Sequence, residues 1–372
     1  MRLTPTPEQQ ELCDAVERFC AEQITAERLQ AWQREPRGVD DATWRAIAEL
    51  GWFGLALPEA RGGSGLGLVE LALLLRECAR GLIPRSVINA IRAGWAMARL
   101  DPTAAELEAI AHGRAVVALA IDERDARDPR HFVTAIGTEA RPKVRGEKWG
   151  VANGLSADWH LVAGSGMGGA QFALVAGERT DRQPLRSFDG EEQAVVRYAD
   201  VPAERRVGGR GGFAALAALR REATALALAE MVGGMQAALD TTVAYVKERE
   251  QFGQKIAVFQ AVQHQVADMA MAFTASRHLA WQAITRLAAG TEEGGELDHA
   301  IAFAAPAFKR ITWAAHHLHG GAGFVVEHPL HYHSERAQAL GIRFAPEAPA
   351  LAAIAAALLD EHPEAAATAA PD

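Results

Sequence analysis

The sequence predicts an α+β protein with an N-terminal all-α domain, a small antiparallel β-domain of the sandwich or barrel type, and a C-terminal four-helix bundle. Helical periodicity fills the N-terminal third, short β-branched runs follow, and alanine-rich helical periodicity then returns. At 372 residues the chain also exceeds the size at which one core stops growing. We therefore predict domains at 1–112, 113–211 and 212–360, and a flexible Ala/Pro-rich tail at 361–372.

The N-terminal segment carries start and stop signals of helices. Thr6 is a capping residue, and the proline that follows it suits the first position of a helix. A second helix is predicted from Asp41 to Leu50, where Gly51 ends it. A glycine-rich loop then leads into a third helix, from Leu68 to Arg80.

From Gly113 the pattern changes to short apolar runs separated by turns, which favours an antiparallel sheet over βαβ units. The runs are Val116–Ile121, Phe132–Ile136, Trp159–Ala163, Phe172–Val175 and Val195–Tyr198. The stretch 164–169 has the GxGxxG spacing of a dinucleotide-binding loop. Such a loop requires a helix after it, whereas strand-like residues follow here, so we predict a hairpin loop.

The C-terminal segment contains one long helix after Phe259, which Gly290 ends. Apolar residues recur at steps of three, four and seven along it, as expected for one buried stripe. They are Val262, Val266, Met269, Phe273, Ala280, Ile284 and Leu287. The alanine-rich stretch 223–238 is typical of a tightly packed helix in an antiparallel bundle.

Composition argues against several classes of partner. The net charge of −9 disfavours nucleic acid and anionic membranes, both of which require a basic face. Cys13 and Cys20 lie seven apart on one predicted helix, too far for a disulfide, so we expect reduced thiols and a cytoplasmic protein. No cationic start with an apolar run and no stretch of 18 apolar residues occurs, so we expect neither a signal peptide nor a membrane span.

Four segments, in order along the chain, resemble the acyl-CoA dehydrogenase family. They are Gly51–Gly67, Val195–Pro202, Tyr245–His264 and His319–His328, and the similarity covers roughly residues 5–345. The resemblance implies FAD as cofactor, an acyl-CoA substrate, α,β-dehydrogenation of its thioester, and an electron-transfer flavoprotein as acceptor. FAD in this family is shared between subunits. A homo-oligomer, either a dimer or a tetramer, or a complex with a related second subunit is therefore implied.

The resemblance assigns six residues to the adenosine and pyrophosphate side of FAD: Arg249, Phe252, Gln260, His317, Gly320 and Gly321. Their chemistry agrees, because Arg249 is a fixed cation suited to pyrophosphate, Phe252 offers a flat face, and adjacent glycines let backbone approach phosphate oxygens. His317 replaces a glutamine of the family. Without the resemblance, Arg249 would be interpreted as a surface charge and Phe252 as a core aromatic.

Two positions on the implied flavin-ring side depart from the family. Asp122 stands where a hydroxyl residue is usual, and its carboxylate would oppose the negative charge of reduced flavin. Ala152 replaces a second hydroxyl residue, and the aromatic position before it becomes Gly150, with Trp149 one residue away. We expect weaker FAD binding than is usual for the family, unless Asp122 points to solvent.

The catalytic base is the least settled feature of the sequence. The family's usual glutamate falls on Ala345, with Glu347 nearby between prolines, and an alternative position in relatives falls on Ala223, beside Glu222. Glu222, Glu347 and the absence of a base all remain open. The rival functions are a non-catalytic or half-site subunit of a heteromeric enzyme, and a related flavoenzyme acting on a nitroalkane or carrier-bound acyl group. The histidines near the C-terminus are not expected to bind metal.

Overall fold

The computed structural model describes residues 4–124, 131–166, 169–208 and 212–361. By its internal contacts the chain forms two compact units. The first unit comprises Met1–Glu22, Ala72–Leu82 and Glu222–Asp372, and the second comprises Gln23–Leu71 and Ile83–Arg221. The division into three domains at 112 and 211 remains a prediction, and the predicted flexible tail lies outside the described residues from 362 onward.

Helices dominate the first 111 residues. The α-helices are α1 (Pro7–Gln23), α2 (Ala26–Trp32), α3 (Asp41–Glu49), α4 (Leu68–Arg80), α5 (Arg85–Leu100) and α6 (Glu106–Ala111), with short 3-10 turns at Trp52–Gly54 and Glu59–Arg61. The predicted start of α1 is confirmed by a capping box: Gln9 N donates to Thr6 Oγ1 at 3.3 Å, and Thr6 N donates to Gln9 Oε1 at 2.9 Å. The predicted bounds of α4 are also confirmed.

Eight strands within the described residues form one sheet. They are β1 (Val117–Ala120), β2 (Ala135–Ile136), β3 (Lys143–Ala152), β4 (Trp159–Gly166), β5 (Gly169–Ala176), β6 (Asp181–Arg186), β7 (Glu192–Pro202) and β8 (Arg205–Val207). The order is β6-β7-β3-β2-β4-β5-β8, and β1 also pairs with β4. Most pairs are antiparallel as predicted, but β4 has parallel neighbours in β1 and β2. Strands β4 and β5 pair antiparallel up to Gly166 and Gly169, which confirms the predicted hairpin.

The core of the second unit lies between this sheet and helices. Buried side chains of α5 and α6 pack with β1, β4, β5 and the first turns of the helix that follows β8. Members of this core include Met97, Leu107, Leu161, Phe172 and Leu216.

The C-terminal part is helical again. Its elements are α7 (Gly212–Glu248), the two-stranded ribbon β9 (Glu250–Gln251) and β10 (Gln254–Lys255), α8 (Gln260–Ala289), α9 (Glu296–His319), a 3-10 turn at Gly320–Phe324, α10 (Leu330–Arg343) and α11 (Glu347–Glu361). Helix α8 ends at Gly290 in the left-handed region, as predicted. Within the described residues no single helix is long and apolar enough to cross a membrane. Helices α10 and α11 taken together reach the length and apolar composition of a membrane span, but they are bent by 48° relative to each other.

Two adjacent glycines in α7 set the packing inside the first unit. A Cβ at Gly233 would lie 2.0 Å from the carbonyl oxygen of Arg76 on α4, and one at Gly234 would lie 2.3 Å from the ring of Phe308 on α9. Glycine costs a helix about 1 kcal/mol relative to alanine. The close approach of two helices is what requires it here.

The predicted apolar stripe of α8 is only partly buried. Met269, Ala280 and Ile284 are in the core, whereas Val262, Val266, Phe273 and Leu287 are half-buried. The first half of α8 therefore keeps apolar surface available on the first unit.

Candidate functional site

The residues after α7 form a tight turn that displays an aromatic ring. Phe252 and Gly253 are the two loop residues between β9 and β10, and both have positive φ, +55° and +79°, as in a type I′ turn. A phenylalanine is unfavourable in this region of backbone space. Its side chain is 92% exposed and meets the ring of Phe259 edge-on at 6.1 Å. The alternative interpretation of Phe252 as a core residue is therefore wrong.

Arg249 lies at the base of the same turn, and its side chain is exposed. Its backbone N–H donates to Tyr245 at 2.8 Å, and its carbonyl accepts from Ile256 N at 2.9 Å. The turn is thus fixed to the last turn of α7. Gln260, also exposed, is the first residue of α8 and directly follows Phe259.

The end of α9 is joined to the end of α7. The Tyr245 hydroxyl donates to the carbonyl of His319 at 3.3 Å, and the two rings stack at 4.3 Å. Gly320 follows with φ +56° and ψ −140°, a conformation open to glycine alone. A Cβ at Gly320 or Gly321 would meet nothing within 4 Å, so both glycines border open space.

His317 joins α9 to α8, because its Nδ1 lies 3.0 Å from Gln265 Oε1. The structure therefore places six sequence-predicted residues on the connected ends of α7, α8 and α9, and all six are exposed. This terminal surface consists of Arg249, Phe252, Gln260, His317, Gly320 and Gly321.

Three histidines lie next to the glycines of the terminal surface along the chain: His316 and His319 are in the last turn of α9, and the ring of His328 lies 4.9 Å from that of His319. Burial lowers the pKa of His316, His319 and His328 below the usual value, and neighbouring histidines lower the pKa of His316 and His328 further. His316 Nε2 lies 2.7 Å from Ser334 Oγ, and its ring stacks on Phe324 at 4.5 Å. The histidines are therefore neutral at pH 7. Among the residues that the structure describes, no group of three or more His, Cys, Asp or Glu is arranged to hold a metal ion.

On the second unit, the positions implied to face the flavin ring form the β1–β3 segment, residues 121–123 and 148–152. Its centre is a buried ion pair. Lys148, with no exposed side-chain surface, donates from Nζ to Glu123 at 2.9 Å. Burial lowers the pKa of Lys148 to about 8 despite this partner. Burial alone would raise the pKa of Glu123, but donation from Val133 N, Thr134 N and Lys148 outweighs it and lowers that pKa.

Asp122 also has a partner in this segment. Arg220 Nη2 donates to its carboxylate at 2.9 Å, and the two side chains are 30% and 44% exposed respectively. The negative charge of Asp122 is therefore offset by the positive charge of Arg220, and its side chain is held by this pair. The sequence did not indicate this pair, because 98 residues separate its members.

A β-bulge changes the register around Trp149. Lys148 pairs with Val196, but the next pair along is Val151 with Ala194, so β3 contains one residue more than β7 between these positions. Gly150 supplies the positive φ of +62°. Ala152 lies beyond the bulge, is 7% exposed and offers no hydroxyl. The alternation of side chains between the two faces of β3 is therefore broken at this point.

The two candidate bases differ in environment. Glu222 is 8% exposed within α7, two residues before Thr224, whose hydroxyl donates to Phe344 O at 2.8 Å. Glu347 is exposed and is the first residue of α11, where the helix N-terminus stabilises a carboxylate. Ala345, the position of the usual glutamate in the resemblance, is completely buried.

Comparisons with known proteins agree with this architecture. Family models match residues 6–105, as the acyl-CoA dehydrogenase N-terminal domain, and 209–359, as the acyl-CoA dehydrogenase C-terminal domain. Acyl-CoA dehydrogenase FadE28 of Mycobacterium tuberculosis is 31% identical over 78% of this chain and 85% of its own length. Acyl-CoA dehydrogenase IpdE2 of the same organism is 28% identical over 90% of this chain and 92% of its own length. The chain belongs to the acyl-CoA dehydrogenase family, a class of oxidoreductases that act on CH–CH groups.

Solved structures agree as well. A chain of the ChsE4-ChsE5 complex from Mycobacterium tuberculosis superposes with a TM-score of 0.87 at 25% identity, over the full length of both chains. A variant of the Tcur3481-Tcur3483 steroid ACAD gives a TM-score of 0.86 at 28% identity, over 95% of this chain and 98% of that one. The predicted family and fold class are confirmed.

Proposed function

We propose that this chain is an FAD-dependent acyl-CoA dehydrogenase whose terminal surface holds the adenosine and pyrophosphate part of the cofactor. The observation that carries the proposal is Phe252, a large ring held in solvent by a strained turn beside the Arg249 cation. Such strain persists only where the surrounding structure enforces it, and it is common at ligand sites. A planar adenine would cover the ring, and a pyrophosphate would match the cation and the open backbone of Gly320 and Gly321.

The flavin ring fits less well at the β1–β3 segment. Ala152 supplies no hydrogen bond, and the charge of Asp122 is offset by Arg220 rather than removed. We infer that FAD binds, but more weakly than a hydroxyl at either position would allow. Bound FAD would accept the hydride that leaves the β-carbon of an acyl thioester, and we propose that an electron-transfer flavoprotein then takes the two electrons.

Glu222 is our proposed base for the α-proton of the thioester. Its burial in α7 shields it from water, and a base is most effective when it is positioned and kept from bulk solvent. Glu347 is exposed at the start of α11, where water would compete for the carboxylate. The role of Glu222 rests on this difference.

Assembly with a second chain is part of the proposal. Large apolar side chains are exposed on the first unit: Phe252, Val258, Met271, Trp313 and Phe324. We propose that these side chains lie at contacts with the second chain. We expect light scattering at micromolar concentration to show an oligomer. A monomer would contradict this part of the proposal.

A second candidate function is the half-site subunit of a heteromeric enzyme. The observation favouring it is Ala345, a buried methyl group where the family's usual base would stand. The similar structure from Mycobacterium tuberculosis is described as a ChsE4-ChsE5 complex, that is, two different chains. In this alternative, a related chain would contribute the missing carboxylate.

Anaerobic bleaching of bound flavin by a panel of acyl-CoAs separates the candidates. We expect Glu222→Gln to slow bleaching by about two to four orders of magnitude and Glu347→Gln to leave it within about twofold. The opposite pattern would move the base to Glu347. Bleaching only after a related chain is added would establish the half-site function. Bleaching by a nitroalkane or a carrier-bound acyl group, but by no acyl-CoA, would redirect the assignment of substrate.

A further inference from the structure

The first unit contains a partly open cavity of about 190 Å³ that is separate from the terminal surface and from both candidate bases. It lies among α4, α7, α8 and the residues just before α1. Its floor is buried and apolar, formed by Ala72, Leu73, Ala229, Val232, Ala280 and Ile284. Three of these six are alanines, one on each of the three helices. The short side chains leave the space where leucines would have closed it.

The rim of the cavity carries two arginines. Arg76, Arg277 and His278 line it together with Trp281. Arg76 is already paired with Glu77 at 2.6 Å. Arg277 lies over the ring of Phe273 at 5.7 Å, and no carboxylate within the described residues pairs with it. The rim therefore presents one cation that is not neutralised beside an apolar recess.

We infer that this cavity binds a short aliphatic carboxylate, with its chain among the alanines and its carboxylate at Arg277. A dry apolar cavity of about 150 Å³ holds benzene, so about 190 Å³ suits an apolar chain of about six carbons. Charge selects an acid over an alcohol, because Arg277 can donate two parallel hydrogen bonds to one carboxylate. The inference goes beyond the proposed dehydrogenase activity and does not depend on it.

Hexanoate is the probe, and 1-hexanol and hexylamine are matched neutral and cationic controls. Binding is followed by the change in tryptophan fluorescence and by thermal melting of the full chain. We expect hexanoate to bind with a dissociation constant on the order of 1 mM and to raise the melting temperature. Hexanol should bind at least about fivefold more weakly, and hexylamine should not bind.

Two variants locate the site. Arg277→Gln alters an exposed side chain and should weaken hexanoate about fivefold while leaving hexanol unchanged. Arg310→Gln, an exposed arginine on α9 that does not line the cavity, is the matched control and should have no effect. Ala280→Leu should fill the recess and abolish binding of both.

Several results would overturn the inference. They are equal binding of hexanoate and hexanol, hexanoate binding that survives Ala280→Leu in a folded protein, and no binding by wild type. If hexanoate still binds the Ala280→Leu variant and an acyl-CoA displaces it, hexanoate binds in the dehydrogenase site instead of this cavity. If Ala280→Leu fails to fold, the Arg277→Gln and Arg310→Gln pair still decides the question.

Discussion

At the terminal surface Arg249 and Phe252 face solvent, whereas in the β1–β3 segment Asp122, Glu123 and Lys148 are occupied by partners from the same chain. The resemblance implies that each region contacts FAD. In the first, the Arg249 and Phe252 side chains are exposed, and Phe252 is held in this position by a strained turn. In the second, Lys148 pairs with Glu123 and Asp122 pairs with Arg220, so these polar groups already have partners within the protein.

This difference indicates which half of the cofactor the chain holds more firmly. Groups left without protein partners are those a ligand can satisfy, while an ion pair already formed gains little from one. We therefore expect the adenosine side to dominate FAD affinity. The predictions below test the contrast, beginning with the largest effect.

Lys148→Met should destabilise the protein by about 3–5 kcal/mol, because it leaves Glu123 charged and buried. The double variant Lys148→Met with Glu123→Gln should recover most of this loss. Lys255→Met, which breaks the exposed pair with Glu250 at the base of the Phe252 turn, should cost at most about 1 kcal/mol. Urea unfolding measures all three. Equal losses for Lys148→Met and Lys255→Met would remove the contrast between the regions.

Mild acid should loosen the terminal surface before the β1–β3 segment. The folded-state pKa values of His316, His319 and His328 are lowered, so the unfolded chain binds protons first and stability is lost as the pH falls below about 6.5. The loss is at most about 1.4 kcal/mol per histidine per pH unit. Glu123 has a lowered carboxyl pKa, so its contribution persists above pH 4.5 and is lost only below it.

Hydrogen exchange between pH 7 and pH 5, corrected for the intrinsic rate, distinguishes these responses. Peptides covering 316–328 should lose protection. Peptides covering 148–152 should keep it better than those covering β4, where burial lowers the pKa of His160 to about 4 and mild acid also costs stability. Simultaneous loss in both regions would mean that the chain responds to acid as one unit.

Phe252→Ala should weaken FAD binding about tenfold, because base-to-aromatic stacking is worth about 1–3 kcal/mol. The unfolding free energy should not fall, since the exposed ring makes few contacts and its turn is strained. Phe188→Ala, which removes an exposed ring from the second unit, is the control and should leave both quantities unchanged. Equilibrium dialysis of FAD decides the outcome, and unchanged affinity in Phe252→Ala would remove the main support for the terminal surface.

Arg220→Gln should have the smallest effect, a loss of about two- to threefold in FAD affinity, because it leaves the Asp122 carboxylate without its partner. The pair is partly exposed, and such pairs are worth at most about 1 kcal/mol. Adding Asp122→Asn should restore the affinity. A large effect of Arg220→Gln that Asp122→Asn does not reverse would indicate another role for the arginine.

The sequence predicted those parts of the fold that depend on local signals. Thr6, Gly51 and Gly290 fixed helix ends through capping and left-handed backbone, and α4 was bounded correctly. Strand β6 was missed because it carries charged residues and Pro184 and is largely exposed, as an edge strand can be. Strand β3 was missed because two glycines interrupt its alternation.

The candidate site was predictable only in part, for the same reason. The residues of the terminal surface lie in two short motifs, 249–260 and 317–321, and the family resemblance of these motifs is what associated them. The Arg220–Asp122 pair and the bulge at Gly150 depend on contacts with distant strands and helices. No local pattern specifies them.

The first unit is assembled from three separate stretches, and Gly233 on the last of them must fit against the Arg76 carbonyl on the second. During synthesis at about 5–20 residues per second, α4 emerges roughly ten to thirty seconds before α7 is complete. The second unit, complete by Arg221, has all its residues available first. Through that interval α4 can contact α1, as Arg76 does with Cys13 and Arg80 with Glu17, but its side that packs on α7 stays uncovered. We expect the nascent chain to be most open to chaperones and to aggregation in this window.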